Sequence, residues 1–233
     1  MPSSTSMLPE WEEVLSSAAH LQRIFPDAVL VGGTAAAIYA EHRLSTDADH
    51  VLTDLRDRFE QVLGELESVA GWKTARVRRP VQILGSLDGI ERGVRQPIRE
   101  QPLETAEIER FGQRLTIPTL AEMLRIKAVL ILERNATRDY LDFAALFDRI
   151  GEEEATLALR LFDSIYPQPN GESALQQLQI QLAAPLPYDL DQVNLAEYKH
   201  LAPKWQEWVG VQTACAACAT LIFDRIEGCS DAQ

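Results

Sequence analysis

Apolar residues recur at helical spacing through Trp11, Val14, Leu15, Ala18 and Leu21, so an amphipathic helix is expected over 11–23, closed by Pro26. Ala28, Val29, Leu30 and Val31 then make a short apolar run that stops at Gly32 and Gly33. That is the pattern of a buried strand entering a tight turn. An alanine-rich helix follows over 34–42, the chain returns as a strand over 45–52, and a charged helix over 54–70 buries Phe59, Val62, Leu63, Leu66 and Val69. Strands are expected at 73–78 and 81–84, with Gly85 and Gly89 as turns, and edge strands at 93–99 and 113–117. Beyond Pro118 the pattern turns helical. Thr119 and Glu122 have capping-box spacing, which starts a helix running to 133. Asn135 and Thr137 break and recap the chain before a helix over 138–150, and 152–227 is mostly helical. The expected fold is α+β: a small mixed β-sheet core flanked by helices over 1–118, then an all-helical region over 119–233 that contributes to the cleft.

Composition narrows the class. Hydrophobic residues make up 46% and charged residues 24% of the 233 positions, a globular balance that excludes a disordered chain. Residues 1–7 show no basic region leading into an apolar run, and no apolar stretch is long enough for a bilayer. A cytoplasmic protein without membrane contact is expected. A formal net charge of −13 argues against nucleic-acid binding over the whole surface. Yet Lys73, Arg76, Arg78, Arg79, Arg92, Arg95 and Arg99 fall in one stretch whose acids are Asp88, Glu91 and Glu100. That excess either faces a polyphosphate or RNA end or is a solvated strand face. Cys215, Cys218 and Cys229 offer no disulfide framework, and Cys215 and Cys218 lack two further zinc ligands nearby, so both read as small residues packed between helices. Trp205 and Trp208 read either as stacking partners of a nucleobase or, preferably, as helix-packing residues.

The candidate chemistry lies between Gly32 and Asp49. Alternate side chains of a strand share a face, so Asp47 and Asp49 are expected to project together while Ala48 turns inward. Two carboxylates held that close repel, and a divalent cation, Mg²⁺ or Mn²⁺, relieves the repulsion. The glycine turn opens a helix whose free N–H groups and dipole suit a phosphate, and Thr34 adds a hydroxyl. A phosphate turn beside a carboxylate pair is what phosphoryl or nucleotidyl transfer requires.

Leu-Val-Gly-Gly-Thr-Ala-Ala-Ala from Leu30 to Ala37, followed by His-Arg-Leu-Ser-Thr-Asp-Ala-Asp from His42 to Asp49, resembles the signature of DNA-polymerase-beta-like nucleotidyltransferases. More narrowly it is similar to the AbiEii-type toxin branch. That branch also carries a helix with a lysine and an arginine, followed by Arg-Asp-x-x-Asp, and Lys127, Arg134, Arg138, Asp139 and Asp142 stand at those positions here. The resemblance spans about 28–147. It implies a nucleotidyltransferase core in which Asp47 and Asp49 bind the metal and Gly32, Gly33 and Thr34 contact the triphosphate. Ser45 would support the site. Lys127 and Arg134, seven apart on one helix, would serve the phosphates, and Asp139 would be a third carboxylate, a base or a substrate-orienting group. It further implies an NTP as substrate, an RNA or tRNA end as acceptor in a toxin-like setting, and an antitoxin protein as partner.

The pattern departs from the wider superfamily in one respect. Its members usually place a third acid on a neighbouring strand, whereas 81–84 offers only Gln82 and Asp88 lies beyond that strand. The alternative is therefore a catalytically degenerate nucleotide- or protein-binding module of the same fold. His50, directly after Asp49, reads as a strand-end residue facing solvent or a ligand. Taken singly, Lys127 reads as a solvated helix lysine and Arg138 with Asp142 as an i,i+4 surface pair.

Overall fold

The structure, a computed structural model, describes residues 9–224; the N-terminal stretch 1–7 and Cys229 lie outside the described residues. The chain divides into two units, Met1–Ala35 with Ser45–Pro118, and Ala36–Leu44 with Thr119–Gln233. In chain order the first unit carries helix α1 (Pro9–Ile24), strand β1 (Val29–Leu30), the first turn of α2 (Gly32–Ala40), β2 (His50–Val51) and α3 (Phe59–Ser68). It continues with β3 (Trp72–Arg78), β4 (Gln82–Leu87), β5 (Ile90–Arg95), β6 (Thr105–Arg110) and β7 (Gln113–Pro118). A mixed five-stranded sheet has the order β1-β2-β5-β4-β3, and β6 pairs with β7 as a separate hairpin.

Several expectations change at this level. The strand expected at an edge over 93–99 is β5, which starts at Ile90 and lies inside the sheet, parallel to β2 on one side and antiparallel to β4 on the other. Gly85 is not a turn but a position within β4, where a Cβ would come within 2.6 Å of the Lys73 carbonyl and the Trp72 ring. The turn is made by Asp88 and Gly89, with φ of 52° and 85°, which matches the twist of a two-residue hairpin. Phe111 and Gly112 do the same for β6 and β7, with φ of 49° and 69°; β6 was not expected because its Thr-Ala-Glu-Ile-Glu-Arg sequence is polar and mostly exposed. The charged helix begins at Phe59 rather than 54, after turns in which Asp57 and Arg58 both donate to the Asp54 carbonyl.

Spacing explains the core of this unit. Phe59, Val62, Leu63 and Leu66 form one face of α3 and pack with Leu21 and Phe25, with Leu52 and Leu55, and with Ile83 and Val94 from β4 and β5. Each such buried side chain contributes about 2 kcal/mol.

The second unit holds α4 (Leu120–Arg134), α5 (Thr137–Ile150), α6 (Glu152–Leu159), α7 (Phe162–Ile165), α8 (Ala174–Ala183) and α9 (Trp208–Ile222). Thr119 Oγ1 accepts the Glu122 N–H at 3.2 Å and caps α4, which ends at Asn135 in the left-handed region. The start of α5 is capped from a distance in sequence: Asp189 Oδ1 accepts both the Thr137 N–H, at 2.7 Å, and its hydroxyl, at 2.8 Å. Cys215 and Cys218 are buried free thiols on α9, and burial pushes Cys215 up to about 12. Trp205 is buried, and Trp208 meets the Tyr140 ring edge-on at 6.2 Å. No helix among the described residues is long and apolar enough to cross a membrane.

Candidate functional site

Residues 48–52 thread between β1 and β5, although only His50 and Val51 count as a strand. Val31 N–H donates to the Asp49 carbonyl at 2.8 Å, Ala48 N–H to the Glu91 carbonyl at 3.0 Å, and Leu52 N–H to the Arg95 carbonyl at 3.0 Å. Alternation then works as expected, with Ala48 and His50 buried, Asp47 exposed and Asp49 partly exposed. Asp49 lies between two glycines. A Cβ on Gly32, the first residue of α2 with φ +75°, would stand 3.4 Å from Asp49 Cβ, and one on Gly93 would stand 2.4 Å from Asp49 Oδ1. Arg95 on β5 brings Nη2 to 3.9 Å from the same oxygen. Thr34 is fully buried and its hydroxyl donates to the Asp47 carbonyl, so it ties α2 to the carboxylate-bearing segment. Ser45 is buried, and Gly33 is partly exposed at the start of α2.

His50 faces neither solvent nor ligand. It is wholly buried, its Nδ1 sits 3.2 Å from the Ala48 carbonyl, and burial with nearby Arg92 lowers its pKa to about 3. The reason is alternation: one residue after Asp49, the side chain must turn into the core. Arg92 is buried as well, and burial lowers it to about 10 against the opposing pull of Asp88.

In the second unit the two halves of the motif pattern meet. Arg43 grips Asp142 with two parallel bonds, Nε to Oδ1 at 2.8 Å and Nη2 to Oδ2 at 3.0 Å, while His42 Nε2 lies 2.7 Å from Oδ1. Lys127 Nζ is 2.7 Å from Asp142 Oδ2 and 3.2 Å from Asp139 Oδ1. Asp142 is therefore no surface partner of Arg138, which is exposed, and Lys127 is not solvated: Lys127 is 3% exposed and both acids 0%. Burial alone would raise the Asp142 carboxyl, but Arg43, Lys127 and His42 overcome that and hold it well below the usual carboxylate range. Asp139 Oδ2 has no partner. Arg134, seven residues after Lys127, is exposed in the last turn of α4.

The donor set of the first unit fits one Mg²⁺ or Mn²⁺ shared with substrate: such an ion takes one or two carboxylates plus phosphate oxygens and keeps its waters. Asp47 and Asp49 are the carboxylates that would hold it, while no group of three His, Cys, Asp or Glu side chains able to hold a metal occurs among the described residues. The strand beside Asp49 is β5 rather than 81–84, and on the face it shares with Asp49 it carries Glu91, Gly93 and Arg95. Arg95 belongs to the basic stretch singled out in the sequence, whereas Gly93 and the meeting of both residues with Asp49 were not expected. A lone glycine inside a strand pattern signals close approach of another group, which was the available clue.

No family model matches the chain. A stretch of 131 residues is 37% identical to the heme uptake protein MmpL11 of Mycobacterium tuberculosis, covering 54% of this chain and 13% of that one. Over 130 residues it is 33% identical to the mycolic acid-containing lipids exporter MmpL11 of Mycolicibacterium smegmatis, again 54% and 13%. The chain thus spans 13% of the length of these curated relatives. Among solved structures, it is similar to an antigenic nucleotidyltransferase-like protein from Paracoccidioides brasiliensis, with 19% identity and a TM-score of 0.45 over 72% of this chain and 92% of that one. ANT(2'')-Ia in complex with adenylyl-2''-tobramycin is similar with 13% identity and a TM-score of 0.48, over 65% and 94%. With TM-scores below 0.5, these likenesses are similarities only, and function is read from the residues of the site.

Proposed function

We propose that the chain is a metal-dependent nucleotidyltransferase that moves a nucleotidyl group from an NTP to an acceptor hydroxyl. The observation that carries this reading is the lodging of Asp49 between Gly32, at the start of α2, and Gly93 on β5, with its carboxylate 32% exposed and Asp47 two residues away. In the reaction the acceptor oxygen bonds to the α-phosphorus, the bond from that phosphorus to the bridging oxygen breaks, and pyrophosphate leaves; the hydroxyl proton passes to solvent. Mg²⁺ or Mn²⁺, when bound by Asp47 and Asp49, neutralises phosphate charge. The N–H groups at the Gly32 and Gly33 corner orient phosphate oxygens, Thr34 fixes the Asp47 backbone, and buried Ser45 supports the segment. Lys127, Arg134 and Asp139 enter the reading as residues whose replacement lowers transfer. An RNA or tRNA end as acceptor, a toxin-like setting and an antitoxin partner rest on the residue resemblance.

The lack of a three-acid group among the described residues favours a second reading, a nucleotide-binding module without turnover. Incubation with each labelled NTP, Mg²⁺ and total RNA separates the two. Transfer that Asp49→Ala abolishes supports the enzyme. Nucleotide-dependent thermal stabilisation without transfer supports the binder, and an NTP-indifferent melting curve without transfer overturns both.

A further inference from the structure

We infer that Arg95 is a phosphate-binding residue of the nucleotide site, which pairs with Asp49 until a divalent ion takes that carboxylate and then turns to the triphosphate oxygens. This rests on the nucleotidyltransferase reading above.

The geometry originates on β5. Gly93 and Arg95 are two apart on the strand and share the face on which Asp49 lies. A Cβ at Gly93 would stand 2.4 Å from Asp49 Oδ1 and 3.1 Å from Arg95 Nε, so one absent methyl group leaves room for carboxylate and guanidinium to meet. They meet without bonding: Arg95 Nη2 stops 3.9 Å from Oδ1, within Coulomb reach but beyond hydrogen-bond length. Arg95 Nε is buried and has no acceptor. The two side chains are nevertheless 31% and 32% exposed, so an incoming group reaches both.

A side chain that is partly open to solvent and whose Nη2 stops short of hydrogen-bonding Asp49 suits an oxyanion, and its planar fork matches two phosphate oxygens. Asp49 alone does not satisfy it. Asp49 would hold a divalent ion, whose double charge would outcompete the guanidinium for Oδ1. Arg95, anchored on β5 next to Asp49, would then be left to meet phosphate oxygens.

The test measures binding rather than turnover, using Mn²⁺ and the four α,β-methylene NTPs followed by calorimetry. Arg95→Met is expected to bind Mn²⁺ alone about threefold more tightly, because a competing cation is gone. The same variant is expected to bind the preferred analogue, with Mn²⁺ present, about tenfold more weakly. Arg95→Lys keeps the charge and loses the fork, so its Mn²⁺ affinity stays near that of the parent while analogue affinity falls; it serves alone if Arg95→Met does not fold. Unchanged analogue affinity in the folded variants overturns the role of Arg95, provided Asp49→Ala abolishes Mn²⁺ binding. If Asp49→Ala binds Mn²⁺ as the parent does, the nucleotidyltransferase reading itself falls.

Discussion

Asp142→Asn tests the buried charge cluster of the second unit directly. The substitution keeps the shape but removes the charge that Arg43, Lys127 and His42 share. An amide has one acceptor oxygen, so its NH₂ must face either His42 and Arg43 Nε, or Arg43 Nη2 and Lys127. Donors then face donors where Lys127 is 3% and residue 142 is 0% exposed. Removing one partner from such a pair costs about 3–5 kcal/mol, a large part of the roughly 5–15 kcal/mol that holds a domain together. At about 2–4 °C per kcal/mol for a chain of this size, the melting temperature drops by about 6–20 °C. Asp139→Asn is the internal control. Asp139 meets Lys127 at 3.2 Å through Oδ1, and its Oδ2 has no partner, so its loss costs about 1 kcal/mol. Calorimetry and urea unfolding at pH 7 measure both. A cost under about 1 kcal/mol for Asp142→Asn, or a larger one for Asp139→Asn, refutes the reasoning. The pH dependence has a definite sign. Because the folded Asp142 carboxyl lies well below its ordinary 3.8, its contribution is complete above that value and disappears as pH falls toward the folded pKa. The variant therefore loses less stability than the parent on acidification below pH 3.8.

Three further outcomes are expected. Gly93→Ala forces the end of Asp49 to move by about 1 Å, a shift a flexible carboxylate makes cheaply; stability changes by less than about 1.5 kcal/mol while Mn²⁺ affinity, followed by electron paramagnetic resonance, falls at least about fivefold. His50 is neutral when folded, with its pKa lowered from 6.5 to about 3, so its contribution is full above 6.5 and is lost at about 1.4 kcal/mol per pH unit as pH falls toward 3. Urea midpoints between pH 4 and 7.5 should show that slope in the parent and not in His50→Gln. Asp189→Ala strips two bonds from the start of α5 and costs about 1–2 kcal/mol in urea unfolding; no measurable change would show that the cap is idle.

Much of this was legible in the residues themselves. The apolar run into Gly32, the alternation through Asp47, Ala48 and Asp49, and the Thr119 cap all depend on neighbours a few positions away, which local pattern captures. What was hidden depends on pairing across long stretches of chain. Whether β5 lies at an edge is decided by β2, about 40 residues earlier, and no period within Ile90–Arg95 records it. His42, at the end of the helix expected over 34–42, and Arg43 after it belong to the motif, but their partner Asp142 lies a hundred positions on and no local pattern points to it. The missing side chain of Gly93 matters only because Asp49, over 40 positions earlier, packs against it. The polar, exposed sequence of β6 gives no hydrophobic alternation, and its hairpin follows from the positive φ angles of Phe111 and Gly112.

The outer strand β3 ends the five-stranded sheet, and its Lys73, Arg76 and Arg78 are exposed. An unpaired strand margin is an invitation for another copy to add on, and two copies approaching here would bring like charges face to face. Three cations of the basic stretch thereby oppose edge-to-edge self-association, and replacing them with threonine is expected to favour it.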